Sequence, residues 1–161
     1  MENKSNIVDL TNELIYRKFL MNNGQRRQFK DLNMPEYIAL HMIAKTASEE
    51  LIYSGKTYLK DLADKMQLSI RQISKMVSEL RDRGLLTWSH DGDGTDGTYV
   101  VITESGSELM HQQEQMLNDY YGRVIQKYGP ENLIHLLQMM KELETVMSRE
   151  LEGTEEDDAN D

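Results

Sequence analysis

Apolar residues recur at helical spacing along most of the chain. Residues 7–21 place Ile7, Leu10, Leu14 and Met21 on one face with Val8 and Ile15 beside them, which predicts an amphipathic helix. Asn22-Asn23-Gly24 is expected to end it, because Asn and Gly tolerate the left-handed conformation of a helix C-terminus. A connector over 25–33 carries Arg26, Arg27 and Lys30. Pro35 suits the first turn of a second helix, which reaches about Ser48 with Ile38, Ala39, Met42 and Ile43 on its apolar face. Ser54-Gly55 breaks the pattern. Thr57-Tyr58-Leu59 reads either as a short strand or as a helix entry, and 60–67 reads as a short helix with Leu62, Ala63 and Met66 inward.

A tight connection over 67–69 leads to Ser69, with Gln72 three residues on. That spacing predicts a capping box, in which each side chain bonds the other residue's orphan backbone N–H. Ile70, Ile73, Val77 and Leu80 then follow a helical period, and Gly84 stops the helix. Residues 85–89 and 99–103 are rich in strand formers and flank the polar stretch HDGDGTDGT, so they predict a hairpin with a long tip. After Ser105-Gly106 a long helix carries Leu109, Met116, Leu117, Tyr120, Tyr121, Val124, Ile125 and Tyr128. Gly129-Pro130 separates it from a last helix striped by Leu133, Leu136, Leu137, Met140, Leu143 and Met147. Residues 150–161 hold seven acids and no base and are expected to be an acidic disordered tail.

Composition narrows the function classes. No apolar run approaches the ~18–20 residues of a membrane span, and MENKSNIVDL lacks the apolar segment of a signal peptide, so a cytoplasmic protein with no membrane partner is expected. The absence of cysteine excludes disulfides, thiolate catalysis and Cys-ligated metals. The formal net charge of −10 argues against nucleic acid only until its distribution is read. Residues 17–88 carry +5 and residues 89–161 carry −13.

Two short helices joined by a tight turn and followed by a hairpin form the winged helix-turn-helix arrangement, in which the second helix enters a DNA major groove. Apolar or small residues are wanted at Leu62, Ala63, Met66, Leu68, Ile73 and Met76, and all are present; Gln67 stands where a glycine is usual. The polar face of the second helix offers Arg71, Gln72, Ser74 and Lys75 as base-reading candidates, with Ser78 on the same face. Arg and Lys donate to guanine, and Gln bonds adenine. Lys56, Thr57, Ser69, Arg81 and Arg83 are candidates for phosphate contact. The expected fold is mainly α with a small β-hairpin wing. A winged helix-turn-helix is expected over 32–104; the apolar stripes of 1–31 and 105–149 could pack on that module or on a second copy of the chain, and the second copy is favoured, which makes them a helical dimerisation lobe.

The stretch YLKDLADKMQLSIRQISKMVSELRDRGLLTW, followed by YVVITESG, resembles the MarR family of dimeric bacterial regulators, and the likeness extends over nearly the whole chain. The family's Leu-Thr-x-x-Gly lead into the long helix falls at Ile102-Thr103-Glu104-Ser105-Gly106, and its recognition-helix Thr-Arg pair falls at Ser74-Lys75. The resemblance implies a homodimer that binds a pseudo-palindromic double-stranded DNA operator, more often to repress. It also implies release by a small-molecule effector held between the two lobes, for which Tyr16, Tyr37 and His41 are candidates. One departure concerns the wing, whose tip in the family carries an Asp-x-Arg. Residues 94–97 are Gly-Thr-Asp-Gly, and no Lys or Arg occurs between Gly84 and Gly122.

Rival chemistry does not fit. With Asp91 as position one, position twelve of a calcium loop is Ile102 rather than the Glu an EF-hand requires. Gly92, Gly94 and Gly97 spell a dinucleotide fingerprint, but between two strands and among acids. His41, His90, His111 and His135 form no i, i+4 pair, and no catalytic motif is present, so neither metal, cofactor nor enzyme activity is expected. The competing class is a winged-helix dimer that acts through protein–protein contacts, a role the acidic wing and tail would suit.

Overall fold

In the computed structural model, residues 2–49, 55–92 and 97–158 are described. The helices and strands alternate as α1 (Glu2–Arg26), α2 (Met34–Glu49), β1 (Thr57–Tyr58), α3 (Leu59–Met66), α4 (Ile70–Asp82), β2 (Leu86–His90), β3 (Thr98–Ile102), α5 (Glu104–Tyr128) and α6 (Pro130–Asp158). The fold is mainly helical with one three-stranded antiparallel sheet of order β1-β3-β2. β2 and β3 form the hairpin, in the register Leu86 to Ile102, Trp88 to Val100 and His90 to Thr98. β1 adds to its free edge through Thr57 and Val100.

Two helix starts are closed by reciprocal caps. Ser69 Oγ accepts from the Gln72 N–H at 3.2 Å while Gln72 Oε1 accepts from the Ser69 N–H at 2.9 Å, so the capping box forms as its spacing predicts. Asn33 and Glu36 make the same exchange ahead of α2, at 2.9 and 3.1 Å, a pairing written in Asn-x-x-Glu that the sequence reading passed over. Between α3 and α4 the chain turns through Gln67, whose φ of 52° is left-handed. A side chain there costs roughly 1–2 kcal/mol relative to an unstrained backbone. It is offset by bonds from the Gln67 and Leu68 N–H groups to the carbonyls of Asp64 and Ala63.

The core draws on Leu32 of the connector, Leu40 and Ile43 of α2, Leu62 of α3, Ile73, Val77 and Leu80 of α4, Val100 of β3 and Met110 of α5. Buried Ala63 presents no bulk between α3 and α4, so the helix pair can close. Ile70 departs from expectation. Its shared period with Ile73, Val77 and Leu80 predicts an inward side chain, yet it is 49% exposed, because the first residue of α4 precedes the turn that faces the core.

One further expectation is corrected. α1 does not stop at Asn22-Asn23-Gly24 but continues to Arg26, since a glycine with free space around it is tolerated in a helix at a cost of ~1 kcal/mol against alanine. α6 runs to Asp158. Its period continues through Leu143, Met147 and Leu151, and Glu is a good helix former.

The chain divides into two compact units, 1–117 and 118–161. In the first, Ile7, Leu10, Ile15 and Phe19 of α1 are each more than half exposed. In the second, Gly129 adopts a φ of +101° at the corner between α5 and α6, where Asn132 Nδ2 bonds the Tyr128 carbonyl at 2.8 Å. Ile134, Leu137 and Val146 of α6 are more than half exposed. No helix among the described residues is long and apolar enough to cross a membrane.

Candidate nucleic-acid interface

α4 buries Ile73, Val77 and Leu80, which turns Arg71 and Lys75 outward one helical turn apart. Both are exposed, and neither has a hydrogen bond or ion pair to another described residue. Ser74 and Ser78 flank them and are half-buried. This is the cationic, unencumbered face that a groove-reading helix requires.

The other candidates are placed differently. Gln72 is exposed, but its side-chain oxygen is engaged with the Ser69 backbone, and the Ser69 hydroxyl with the Gln72 N–H. Bidentate recognition of adenine by Gln72 would break the cap. Thr57 faces inward; it is 6% exposed and its hydroxyl has no partner among the described residues, so it is not poised to touch a phosphate. The alternation of β1 accounts for this, since its outward neighbours are Lys56 and Tyr58.

Arg81 and Arg83 are committed within the fold. The Arg81 guanidinium lies 5.2 Å from the centre of the Trp88 ring and bonds Ser78 Oγ and Asp82 Oδ1, each at 3.2 Å. Arg83 donates to the Asp31 carbonyl at 2.7 Å and to Glu36 at 3.3 Å, tying the end of α4 to the start of α2.

At the base of the wing, Asp91 Oδ2 accepts from Tyr58 Oη at 2.7 Å and from Lys56 Nζ at 3.4 Å. The Tyr58 hydrogen bond is the main reason the Asp91 carboxyl is held below the ordinary carboxylate value; Lys56 adds to it. The same bond raises the Tyr58 phenol. Neither Tyr58 nor Asp91 was a candidate, although alternation about inward Thr57 places Tyr58 outward. The partnership itself joins residues 33 positions apart and has no local signature. Asp93 and Asp96 lie outside the described residues.

A cavity of about 650 Å³ opens between α2 and the first turns of α5, lined by His41, Lys45, Ser107, Met110, His111 and Glu114 among others. His111 pairs with Glu114 at 3.2 Å. Tyr37 packs between Phe29 and His41, with ring centres 6.0 Å apart on both sides. Its phenol is raised first by burial and then by the charge of Glu114. His41 lines the cavity, and Tyr37 lies against His41 without lining it. Tyr16 is exposed on α1 and does not line this cavity.

The capped helix α4, the short helix α3 before it and the three-stranded sheet define a winged helix-turn-helix fold of the kind found in the MarR family regulators. Among solved structures the chain is similar to a MarR family regulator from Neisseria meningitidis, with a TM-score of 0.68 and 19% identity over 89% of this chain and 96% of that one. It is also similar to MepR from S. aureus in a DNA-binding conformation (TM-score 0.65, 13% identity, 84% and 97% covered). A third is NadR in complex with 4-hydroxyphenylacetate (TM-score 0.64, 14% identity, 86% and 97% covered). No family model matches the sequence, and no curated protein matches it.

Proposed function

We propose that this chain is a MarR-type transcriptional regulator that binds a pseudo-palindromic DNA operator as a homodimer in the cytoplasm and has no catalytic role. The observation that carries the proposal is the free cationic face of α4, Arg71 and Lys75, beside a wing and on a capped helix. The described conformation of MepR, of the same fold, supports it. In a dimer two such helices would enter successive major grooves ~34–36 Å apart. The exposed apolar residues of α1 and α6 support dimerisation through a lobe formed by 1–31 and 105–149, since unpaired apolar faces of that length are covered in stable proteins.

The cavity beside His41 supports control by a small-molecule effector, as does the ligand carried by NadR. An effector wedged between α2 and α5 would alter the spacing of the two recognition helices. Repression is the proposed sign of regulation, by analogy with the family that the sequence resembles.

Fluorescence anisotropy with DNA from upstream of the chain's own gene, against a scrambled duplex, tests this. Preferential binding that weakens as salt rises from about 50 to 200 mM is expected. Replacing Arg71 and Lys75 by Ala removes it, at ~1–3 kcal/mol per contact. The second reading is a protein-binding winged-helix dimer. It is favoured by the acidic wing and by the internal commitment of Lys56, Arg81 and Arg83. Under it, neither duplex is preferred and the double variant keeps its biological activity.

A further inference from the structure

The wing is the most acidic part of the candidate interface, yet one of its acids is met by a specific pair of donors. Lys56 Nζ and Tyr58 Oη approach the same oxygen of Asp91 from the β1 edge. Tyr99 of β3 holds both donors in place. Its ring centre lies 4.6 Å from Lys56 Nζ and 6.0 Å from the Tyr58 ring, which it meets edge-on. The Asp91 backbone is also fixed, because its N–H donates to the Gly97 carbonyl at 2.9 Å and the chain passes too close there for a side chain on Gly97.

An ammonium and a phenol O–H converging on one anionic oxygen are the kind of donors that take the phosphates of a nucleic-acid backbone. The cluster is open to solvent, with the Lys56 and Asp91 side chains 30% and 42% exposed. With no Lys or Arg between Gly84 and Gly122, Lys56 brings a cation to the wing base from outside the hairpin. We propose that Lys56 and Tyr58 form a backbone-phosphate site on the wing, and that Asp91 fills it as an internal phosphate mimic that weakens DNA binding. This rests on the DNA-binding reading above. An incoming phosphate must displace a carboxylate that already satisfies both donors and that stays nearby as a like charge.

Phosphate contacts carry no sequence information, so the test needs no operator. The full chain, Asp91→Asn, Lys56→Met and the double variant are titrated into a duplex of arbitrary sequence between about 50 and 200 mM salt. Asp91→Asn is expected to bind about three- to fivefold more tightly, the scale of one surface ion pair. Its log–log salt slope should steepen by roughly 0.9, the increment for one more neutralised phosphate. Lys56→Met alone should change little, since its partner is already internal, but should abolish the gain in the Asp91→Asn background. A thermal melt of each variant checks folding. If the wild type binds and Asp91→Asn binds no better, or if its gain survives Lys56→Met, the phosphate site is overturned and the DNA-binding reading stands. If neither the wild type nor Asp91→Asn binds a duplex even at low salt, both fall.

Discussion

A side-chain carbon on Gly106 would overlap the carbonyl oxygen of Leu85. The first turn of α5 is therefore pressed against the turn that leaves α4, and Thr103 joins the two. Its hydroxyl donates to the Gly84 carbonyl at 2.7 Å and accepts from the Gly106 N–H at 3.0 Å, while its own N–H bonds Leu85 O at 3.1 Å. The Thr-x-x-Gly spacing is a packing requirement: the threonine caps the helix, and the glycine lets it approach.

Gly106→Ala should accordingly destabilise the protein by about 1–3 kcal/mol, the usual cost of overpacking, with a backbone oxygen that cannot move aside. Thr103→Val keeps the shape and loses the cap, at about 1 kcal/mol. Urea unfolding of the two variants checks both values. A neutral Gly106→Ala would mean that the approach of α5 is not tight.

Gln67→Gly should stabilise. It relieves a left-handed residue at roughly 1–2 kcal/mol and gives back part of that through the greater freedom of glycine in the unfolded chain. A net gain of about 0.5–1 kcal/mol corresponds to a melting temperature higher by roughly 1–4 °C. Calorimetry decides the matter, and a lower melting temperature would show that the Gln67 side chain stabilises the fold in some other way.

Arginines 71 and 83 should separate cleanly. Arg83→Ala loses the bonds to Asp31 and Glu36 and should lower stability by about 1 kcal/mol, with a smaller effect on DNA affinity. Arg71→Ala touches no described partner and should leave the melting curve unchanged while weakening DNA binding by ~1–3 kcal/mol. Parallel melts and anisotropy titrations read the two effects.

The Tyr58–Asp91 bond should give the wing a two-sided pH response. The Asp91 carboxyl is depressed in the folded state, so its stabilising contribution is present above the ordinary value near 3.8 and is lost as pH falls through the lower, folded value. Tyr58 is raised, so its contribution is present below about 10 and is lost as pH climbs through the higher, folded value. Tyr58→Phe should return Asp91 toward the ordinary carboxylate value in a carboxyl NMR titration. An unmoved Asp91 would assign its depression to Lys56 instead.

The parts of this structure legible in the sequence are those whose cause is local. Ser69 and Gln72 are three residues apart, and the box they form needs nothing else. The outward face of Arg71 and Lys75 followed from the period of Ile73, Val77 and Leu80. What escaped depends on distant partners. Nothing near Arg83 in the chain announces Asp31, and nothing near Tyr58 announces Asp91. Gln72 was legible twice over, as a cap and as a base reader, and only the hydrogen bonds show which use is in force. Gln113 was missed because a glutamine in a long helix reads as solvent-facing. Its place between Met110 and Leu117, both buried, was the available clue.

That buried glutamine sets a length. Its amide oxygen accepts from the Lys30 N–H at 3.2 Å, and its amide nitrogen donates to the Gln28 carbonyl at 2.7 Å. One side chain of α5 thus grips two backbone groups two residues apart in the segment between α1 and α2. Such a clasp works only for a strand of one span. A residue added or removed between Gln28 and Lys30 would leave a buried amide half satisfied, at about 1–3 kcal/mol. Surface loops ordinarily drift in length among related chains. This one is metered from the opposite helix.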